Sequence, residues 1–452
     1  MANRHDKEPG PGAAGLRRLR GFQDLRAEQA RAAERVETVC RQVARLHNAA
    51  EIRIPALEPL ELYRRTSGES SDVVEKQMFA FALREPDDDE QSGADNTIAP
   101  AGQSPGHPEL AAWAALRPEG TPGVVRAYVE AGLDRSDPEQ RLYYLGPMFR
   151  RERPQKGRFR QFTQFGVEIF GRPDPLCDAE LIEMVDEIAR PLGVALRFEV
   201  NSLGCPVCRP AFRAALLEYG RARLESLCAD CRRRLERNPL RLLDCKTDVE
   251  AASQAPQTLD FLCVECRAHF VALGKLLGAV GLNFEVNPRL VRGLDYYCRT
   301  AFEAASPALG AQNAVAAGGR YDGLVEALGG AAVAGSGFAL GVERMALLLP
   351  AEPAGDGPEV ALIALGERAV EQAVAMARGL RALGLGVETL APTRSLKAML
   401  RRADRSGARY AVIVGERELE RDVVQLRDLR QSSQREVRTA ELAAVLGGQG
   451  VA

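Results

Sequence analysis

Tyr144-Leu-Gly-Pro-Met-Phe149-Arg150-Arg151-Glu152-Arg153-Pro154-Gln155-Lys156-Gly157-Arg158-Phe159-Arg160 decides how the rest of this 452-residue chain is read. The runs on either side, Arg141–Phe149 and Phe162–Phe170, are rich in apolar and aromatic residues and read as strands. Between them, six of the eleven residues 150–160 are cationic. Arginines held on strands beside a turn can grip a polyphosphate through charge-assisted, bidentate bonds. The plain alternative is a solvated basic hairpin, and the surrounding sequence decides between the two.

Upstream lies Leu116-Arg-Pro-Glu119-Gly120-Thr121. Further upstream, Glu51-Ile-Arg-Ile-Pro55 follows a helical pattern over Ala27–Leu46, and Ile52–Pro55 reads as a short strand. Leu196–Asn201 and Phe284–Val286 read as two more strands. The segment between them, 204–281, reads as a helical, cysteine-rich insertion. Downstream come Arg292-Gly-Leu-Asp295-Tyr296-Tyr297 and Gly318-Gly319-Arg320-Tyr321-Asp322-Gly323. Gly335-Ser-Gly-Phe-Ala-Leu-Gly341-Val342-Glu343-Arg344 then reads as a glycine-rich strand running into a helix, where glycines let the backbone approach a nucleotide closely. Residues 350–358, rich in Pro, Gly, Ala and acids, read as a linker. Beyond it, Val360–Leu365, Ala369–Leu383, Gly386–Leu390, Ser395–Ser406 and Tyr410–Val414 alternate strand and helix. That rhythm makes 359–452 a small α/β domain with parallel strands. The stretch 85–110 reads as a mobile insertion loop and 1–15 as a disordered tail.

Phe149-Arg150-x-Glu152 with its basic loop resembles motif 2 of the class II aminoacyl-tRNA synthetases. Gly335–Arg344 resembles their motif 3 and Glu51–Pro55 their motif 1, in the right order. The stretches at Arg117–Thr121, Arg292–Tyr297 and Gly318–Gly323 resemble signatures of the histidyl-tRNA synthetases, and the likeness runs from Leu19 to Leu446. It implies an α+β fold: a class II antiparallel sheet flanked by helices over 16–349, the helical insertion, and a C-terminal α/β anticodon-binding domain. It also implies ATP-dependent activation of L-histidine to histidyl-adenylate, with Mg²⁺ shielding the outer phosphates. The product would be transferred to the 3′ end of tRNA(His) by a homodimer that has motif 1 at its interface.

The resemblance further implies residue roles. Glu168 and Tyr297, with Tyr296 beside them, would read the imidazole, whose two ring nitrogens both need partners. Glu119, Gly120, Thr121 and Gln164 would hold the amino acid, chiefly its α-ammonium group. Arg150 would bind the α-phosphate and Glu152 the adenine amino group, while Arg158 and Arg344 take the outer phosphates. Arg292 would contact the reacting carboxylate and α-phosphate. Arg153 and Gln155 would meet the tRNA acceptor end. The basic residues Arg394, Lys397, Arg401, Arg402 and Arg405 would face the anticodon arm. Positioning and charge stabilisation would dominate catalysis, and the four histidines all lie outside these motifs. Two departures stand out: the 85–110 stretch is long, and Arg20-Gly21-Phe-Gln-Asp24 lacks the proline that usually follows it.

Composition agrees. The chain is 46% hydrophobic and 27% charged, as in a soluble globular protein, with net charge −2. No global basic field announces nucleic acid, so RNA contact must use local basic faces. Neither a membrane span nor a signal peptide is apparent, which points to the cytoplasm. A catalytically silent paralogue resembling the regulatory subunit of ATP phosphoribosyltransferase is the competing reading. Such proteins lack the C-terminal domain and lose motif residues, whereas this chain keeps both. A third reading, an RNA-binding or signalling module on a dead synthetase fold, is opposed by intact Glu119, Arg150, Arg292 and Arg344.

Ten reduced cysteines include three CxxC pairs, Cys205/Cys208, Cys228/Cys231 and Cys263/Cys266, plus a single Cys245 in the same segment. Two pairs make a tetrahedral zinc site. A helix over Pro210–Leu227, about 27 Å long, would separate the first pair from the second. If the strands at Leu196 and Phe284 are antiparallel, Cys228 and Cys231 meet Cys263 and Cys266. Cys205, Cys208 and Cys245 are then spares or a partial second site. The alternative is unligated thiols.

Overall fold

Alternation along Gln161–Phe170 sets the architecture of the larger unit. Phe165, Val167 and Ile169 enter a large apolar core on one face of the strand. Gln164, Glu168 and Phe170 take the other face. The computed structural model describes residues 16–67, 77–83, 113–350, 357–390 and 395–447, apart from positions 153, 156, 293, 295, 311 and 312. The 1–15 and 85–110 stretches expected to be a tail and a loop lie outside the described residues, as do 351–356 of the linker. The chain divides into two units, Met1–Pro350 and Ala351–Ala452.

In the first unit an eight-stranded sheet runs in the order Ala50–Glu51, Arg141–Phe149, Gln161–Phe170, Gly335–Gly341, Ala314–Arg320, Cys298–Ala305, Arg197–Ser202, Phe284–Val286. The six central strands are antiparallel, and each edge strand is parallel to its neighbour. Helix Glu28–Leu46 packs Val36, Cys40 and Val43 into the core, and helix Pro175–Ala189 packs Leu181, Ile182, Val185 and Ile188. Asp174 caps the second helix by accepting from the Cys177 amide at 3.2 Å, with Pro175 at the first turn. His47 joins the two helices, bonding Glu180 at 3.2 Å and Glu187 at 2.6 Å.

Ile52–Pro55, expected as a strand, is not one. The ladder stops at Glu51, and the chain enters a separate three-stranded sheet at Leu57–Pro59, ordered Leu57–Pro59, Trp113–Leu116, Phe79–Ala82. Pro55 has no N–H to donate to a ladder, and the Ile54 and Pro55 carbonyls are taken by the Arg117 guanidinium.

The second unit has parallel strands in the order Val387–Leu390, Val360–Leu365, Tyr410–Gly415, as the alternation of strand and helix predicts. Two antiparallel strands, Val423–Asp428 and Ser433–Arg438, extend the sheet beyond the expected rhythm. Helix Glu367–Ala382 buries Ala369, Ala373, Ala377 and Leu380 at helical spacing, and helix Leu396–Arg405 is capped by Ser395.

Candidate active site

Strands Gln161–Phe170, Cys298–Ala305, Ala314–Arg320 and Gly335–Gly341 floor a cavity of about 790 Å³. Nine of the expected residues line it: Glu119, Thr121, Arg150, Glu152, Arg158, Gln164, Arg292, Tyr297 and Arg344. Positions from almost 230 residues of sequence therefore converge, because the glycine-rich strand pairs with the hairpin strand in register, Gly337 opposite Glu168. A Cβ on Gly337 would collide with the Glu168 carboxylate, and one on Gly335 with the Tyr321 ring. Close approach at these two glycines thus serves protein side chains, where the sequence suggested a nucleotide.

Glu168 is wholly buried, one layer behind the cavity wall. Oε1 accepts from Thr121 Oγ1 at 2.6 Å and Oε2 accepts from the Tyr321 hydroxyl. Burial pushes its carboxyl up to about 8, against the pull of those two bonds. Tyr321 stood in a quoted motif, but nothing in its local sequence marked it as a partner of Glu168. Its ring meets Tyr296 edge-on at 5.9 Å and Tyr297 at 6.4 Å, closing an aromatic corner.

Glu119 accepts from the Tyr296 hydroxyl at 3.1 Å through Oε2. Its Oε1 is buried without a hydrogen-bond partner among the described residues. Burial raises this carboxyl, with Arg150, Tyr296 and Arg292 opposing. Gln164 Oε1 accepts from the Gly120 amide at 3.2 Å and the Tyr144 hydroxyl at 3.1 Å. Gly120 abuts the Tyr144 ring so closely that a side chain there would collide with it. The Tyr144 role was not legible in the sequence.

The cations form a second group. Arg150 donates from Nε to the Pro118 carbonyl at 2.8 Å and lies 5.1 Å from the Phe162 ring centroid. Arg158 pairs with Glu152 at 2.8 Å. Burial, then the nearby Arg158 charge, depress Arg344 below the usual guanidinium range. Arg292 pairs with Glu303 at 3.3 Å, and its buried Nε has no hydrogen-bond partner among the described residues. Gln155 is exposed at the hairpin tip, while Arg153 and Arg394 lie outside the described residues. Arg320 of the GGRYDG stretch is not at the cavity. It is fully buried, bonding Asp178 at 2.6 Å and the Arg172 and Asp174 carbonyls, and it locks the sheet to helix Pro175–Ala189.

The cysteines depart from the expected pairing. Cys205, Cys208, Cys263 and Cys266 converge, and Cys228 and Cys231 lie instead with Cys245 and Asp248. Strands Arg197–Ser202 and Phe284–Val286 are parallel, so the assumption of antiparallel strands fails. Helix Val264–Ala279 must then start beside the beginning of the insertion, at Cys205. The expected long helix also ends early, at Arg221.

Hairpin arginines, a glycine-rich return strand and a buried carboxylate facing an antiparallel sheet make this a class II aminoacyl-tRNA synthetase catalytic domain. The family model described as histidyl-tRNA synthetase matches residues 112–345, and that of an anticodon-binding domain matches 359–449. A histidine–tRNA ligase of Geobacter sulfurreducens is 45% identical over 89% of this chain and 92% of that protein. One from Trichlorobacter lovleyi is 43% identical over 96% and 98%. The crystal structure of apo histidyl-tRNA synthetase from S. aureus superposes with a TM-score of 0.75 at 28% identity, covering 96% of this chain and all of that one. The chain belongs to the histidyl-tRNA synthetase family and is an aminoacyl-tRNA ligase. Among the described residues, no helix is long and apolar enough to cross a membrane.

Proposed function

We propose that this chain activates L-histidine with ATP and transfers it to the 3′ end of tRNA(His), using the residues around the 790 Å³ cavity. The observation that carries the residue assignment is the buried, unpartnered Glu119 Oε1, an acceptor set for an ammonium group. Gly120, Thr121 and Gln164 complete that end of the amino-acid site. Glu168 reads the imidazole together with Tyr297. Its carboxylate oxygens can accept more bonds than the two they now receive, and Thr121 must yield for a ring to reach it.

Arg150, against Phe162, takes the α-phosphate, Glu152 the adenine amino group, and Arg158 and Arg344 the outer phosphates. Arg292 bridges the attacking carboxylate and the α-phosphate. Bidentate guanidinium contacts align the carboxylate in line with the departing pyrophosphate and stabilise charge as it develops. Glu199 and Glu303 stand directly opposite each other on neighbouring strands, and both line the cavity. Like charges so placed repel, and a hard cation such as Mg²⁺ fits between carboxylates of this kind. It would neutralise phosphate charge.

Gln155 and Arg153 on the hairpin loop meet the acceptor end, and the second unit, 359–452, binds the anticodon arm as a domain of its own. A homodimer through the motif 1 region is supported by Leu46, 71% exposed beside the exposed edge strand Ala50–Glu51. Sedimentation of active enzyme as a monomer would refute it. The cytoplasm suits ATP and tRNA as substrates and the ten unpaired thiols. A structural zinc is assigned to Cys205, Cys208, Cys263 and Cys266, whose sulfurs lie 3.6 Å (Cys205–Cys208) and 3.9 Å (Cys205–Cys263) apart.

Histidine-dependent ATP–pyrophosphate exchange by the purified protein tests the activity. Exchange with another amino acid and none with histidine would overturn it.

A further inference from the structure

We propose that Cys228, Cys231, Cys245 and Asp248 form a second tetrahedral zinc site, which fixes the 241–252 loop as a wall of the catalytic cavity. The four ligand atoms all lie within 4.8 Å of one another. Cys228 Sγ is 3.9 Å from Cys245 Sγ, and Cys245 Sγ is 3.6 Å from Asp248 Oδ2. A tetrahedron with Zn–S bonds of about 2.3 Å spaces its sulfurs about 3.8 Å apart.

The backbone is arranged for anionic donors. The Cys231 amide donates to Cys228 Sγ at 3.4 Å, and the Asp248 amide to Cys245 Sγ at 3.3 Å. The Cys228 amide donates to both Asp248 oxygens at 3.0 Å. Such N–H bonds orient metal ligands and stabilise thiolates. The same pattern recurs at the Cys205 site, where the Cys263 amide donates to Cys208 Sγ at 3.1 Å. Zinc binding would displace the three thiol protons to solvent and leave the cation held by three thiolates and one carboxylate.

This part of the fold needs a staple. Helices Ala229–Arg234 and Val249–Ser253 have six and five residues, too short to persist alone. The apolar cluster beneath them is small: Leu227, Cys231 and Leu242 are buried, with Tyr219, Cys228, Cys245 and Ala251 partly buried against them. Yet Arg241, Leu243, Cys245, Lys246, Val249 and Ala252 all line the cavity. Cys245 is thus both ligand and wall, so an ion there would set the position of the loop. Only this coupling to substrate rests on reading the cavity as catalytic. The zinc content does not.

The test is zinc per chain in full-length protein purified without chelator, measured by plasma mass spectrometry. Wild type should hold two, Asp248→Ala one, and Cys205→Ser one. Asp248→Cys, which restores four-coordination, should hold two and answers the objection that the alanine variant is misfolded. No zinc in wild type, or the same zinc content in Asp248→Ala as in wild type, would overturn the site. Amide hydrogen exchange then reads the loop: 241–252 should exchange at least ~10-fold faster in Asp248→Ala and return to wild-type rates in Asp248→Cys. Zinc loss without faster exchange would overturn the wall.

Discussion

Thr121 Oγ1 donates a 2.6 Å hydrogen bond to Glu168 Oε1 across 47 residues of sequence. Thr121 is on the cavity wall and Glu168 is buried behind it. This joins the start of helix Thr121–Glu130 to the middle of a sheet strand, and places a carboxylate where a substrate ring could reach it. Glu168→Gln keeps the shape but loses the group that can ionise against an imidazole. KM for histidine should rise ~10- to 100-fold with KM for ATP nearly unchanged, as read by ATP–pyrophosphate exchange. An equal rise in both would remove Glu168 from amino-acid recognition.

The same carboxyl predicts a pH dependence of stability. Burial raises it from an unfolded value of about 4.3 to about 8 in the fold. The folded protein therefore binds the extra proton between those values, and the resulting stability declines as pH rises through 8. Glu168→Gln has no such proton to lose. Without substrate, wild type should lose stability relative to this variant between pH 6 and pH 9, a change in Tm difference of about 3 °C or more. Parallel melting curves across that range would contradict the raised carboxyl.

Arg292 sits beside Glu303 at 3.3 Å, with a buried, unpartnered Nε. Arg292→Ala should cut pyrophosphate exchange ~10²- to 10⁴-fold while Tm moves little, since the side chain contacts the cavity more than the core. A large drop in Tm with proportionate loss of activity would make the residue structural.

Helix Leu396–Arg405 turns Met399 and Ala403 inward and leaves Lys397, Arg401 and Arg405 in solvent, while Arg402 pairs with Glu388 at 2.8 Å. Arg401→Glu combined with Arg405→Glu should raise KM for tRNA ~10-fold and flatten its salt dependence, because two phosphate contacts are lost. Exchange without tRNA should be unaffected. Unchanged tRNA kinetics would leave this helix face merely solvated.

Much of the protein was legible in the linear sequence. The alternation in Gln161–Phe170 encodes which side chains share a face, because successive strand residues point opposite ways. The motif stretches and their order carried the family, and nine expected residues do meet at one cavity. These features are local: residue type, period and spacing survive without knowing what packs on what. The tertiary structure alone decided the partners. Glu168 meets Tyr321, Arg320 turns away to Asp178, and Cys205 finds Cys263 in place of Cys228. Each depends on strand direction and on loops that close over many residues. The parallel run of Phe284–Val286 beside Arg197–Ser202 reversed the cysteine pairing. Strand direction is set by the crossover path and the apolar area it buries, not by any property of a CxxC pair.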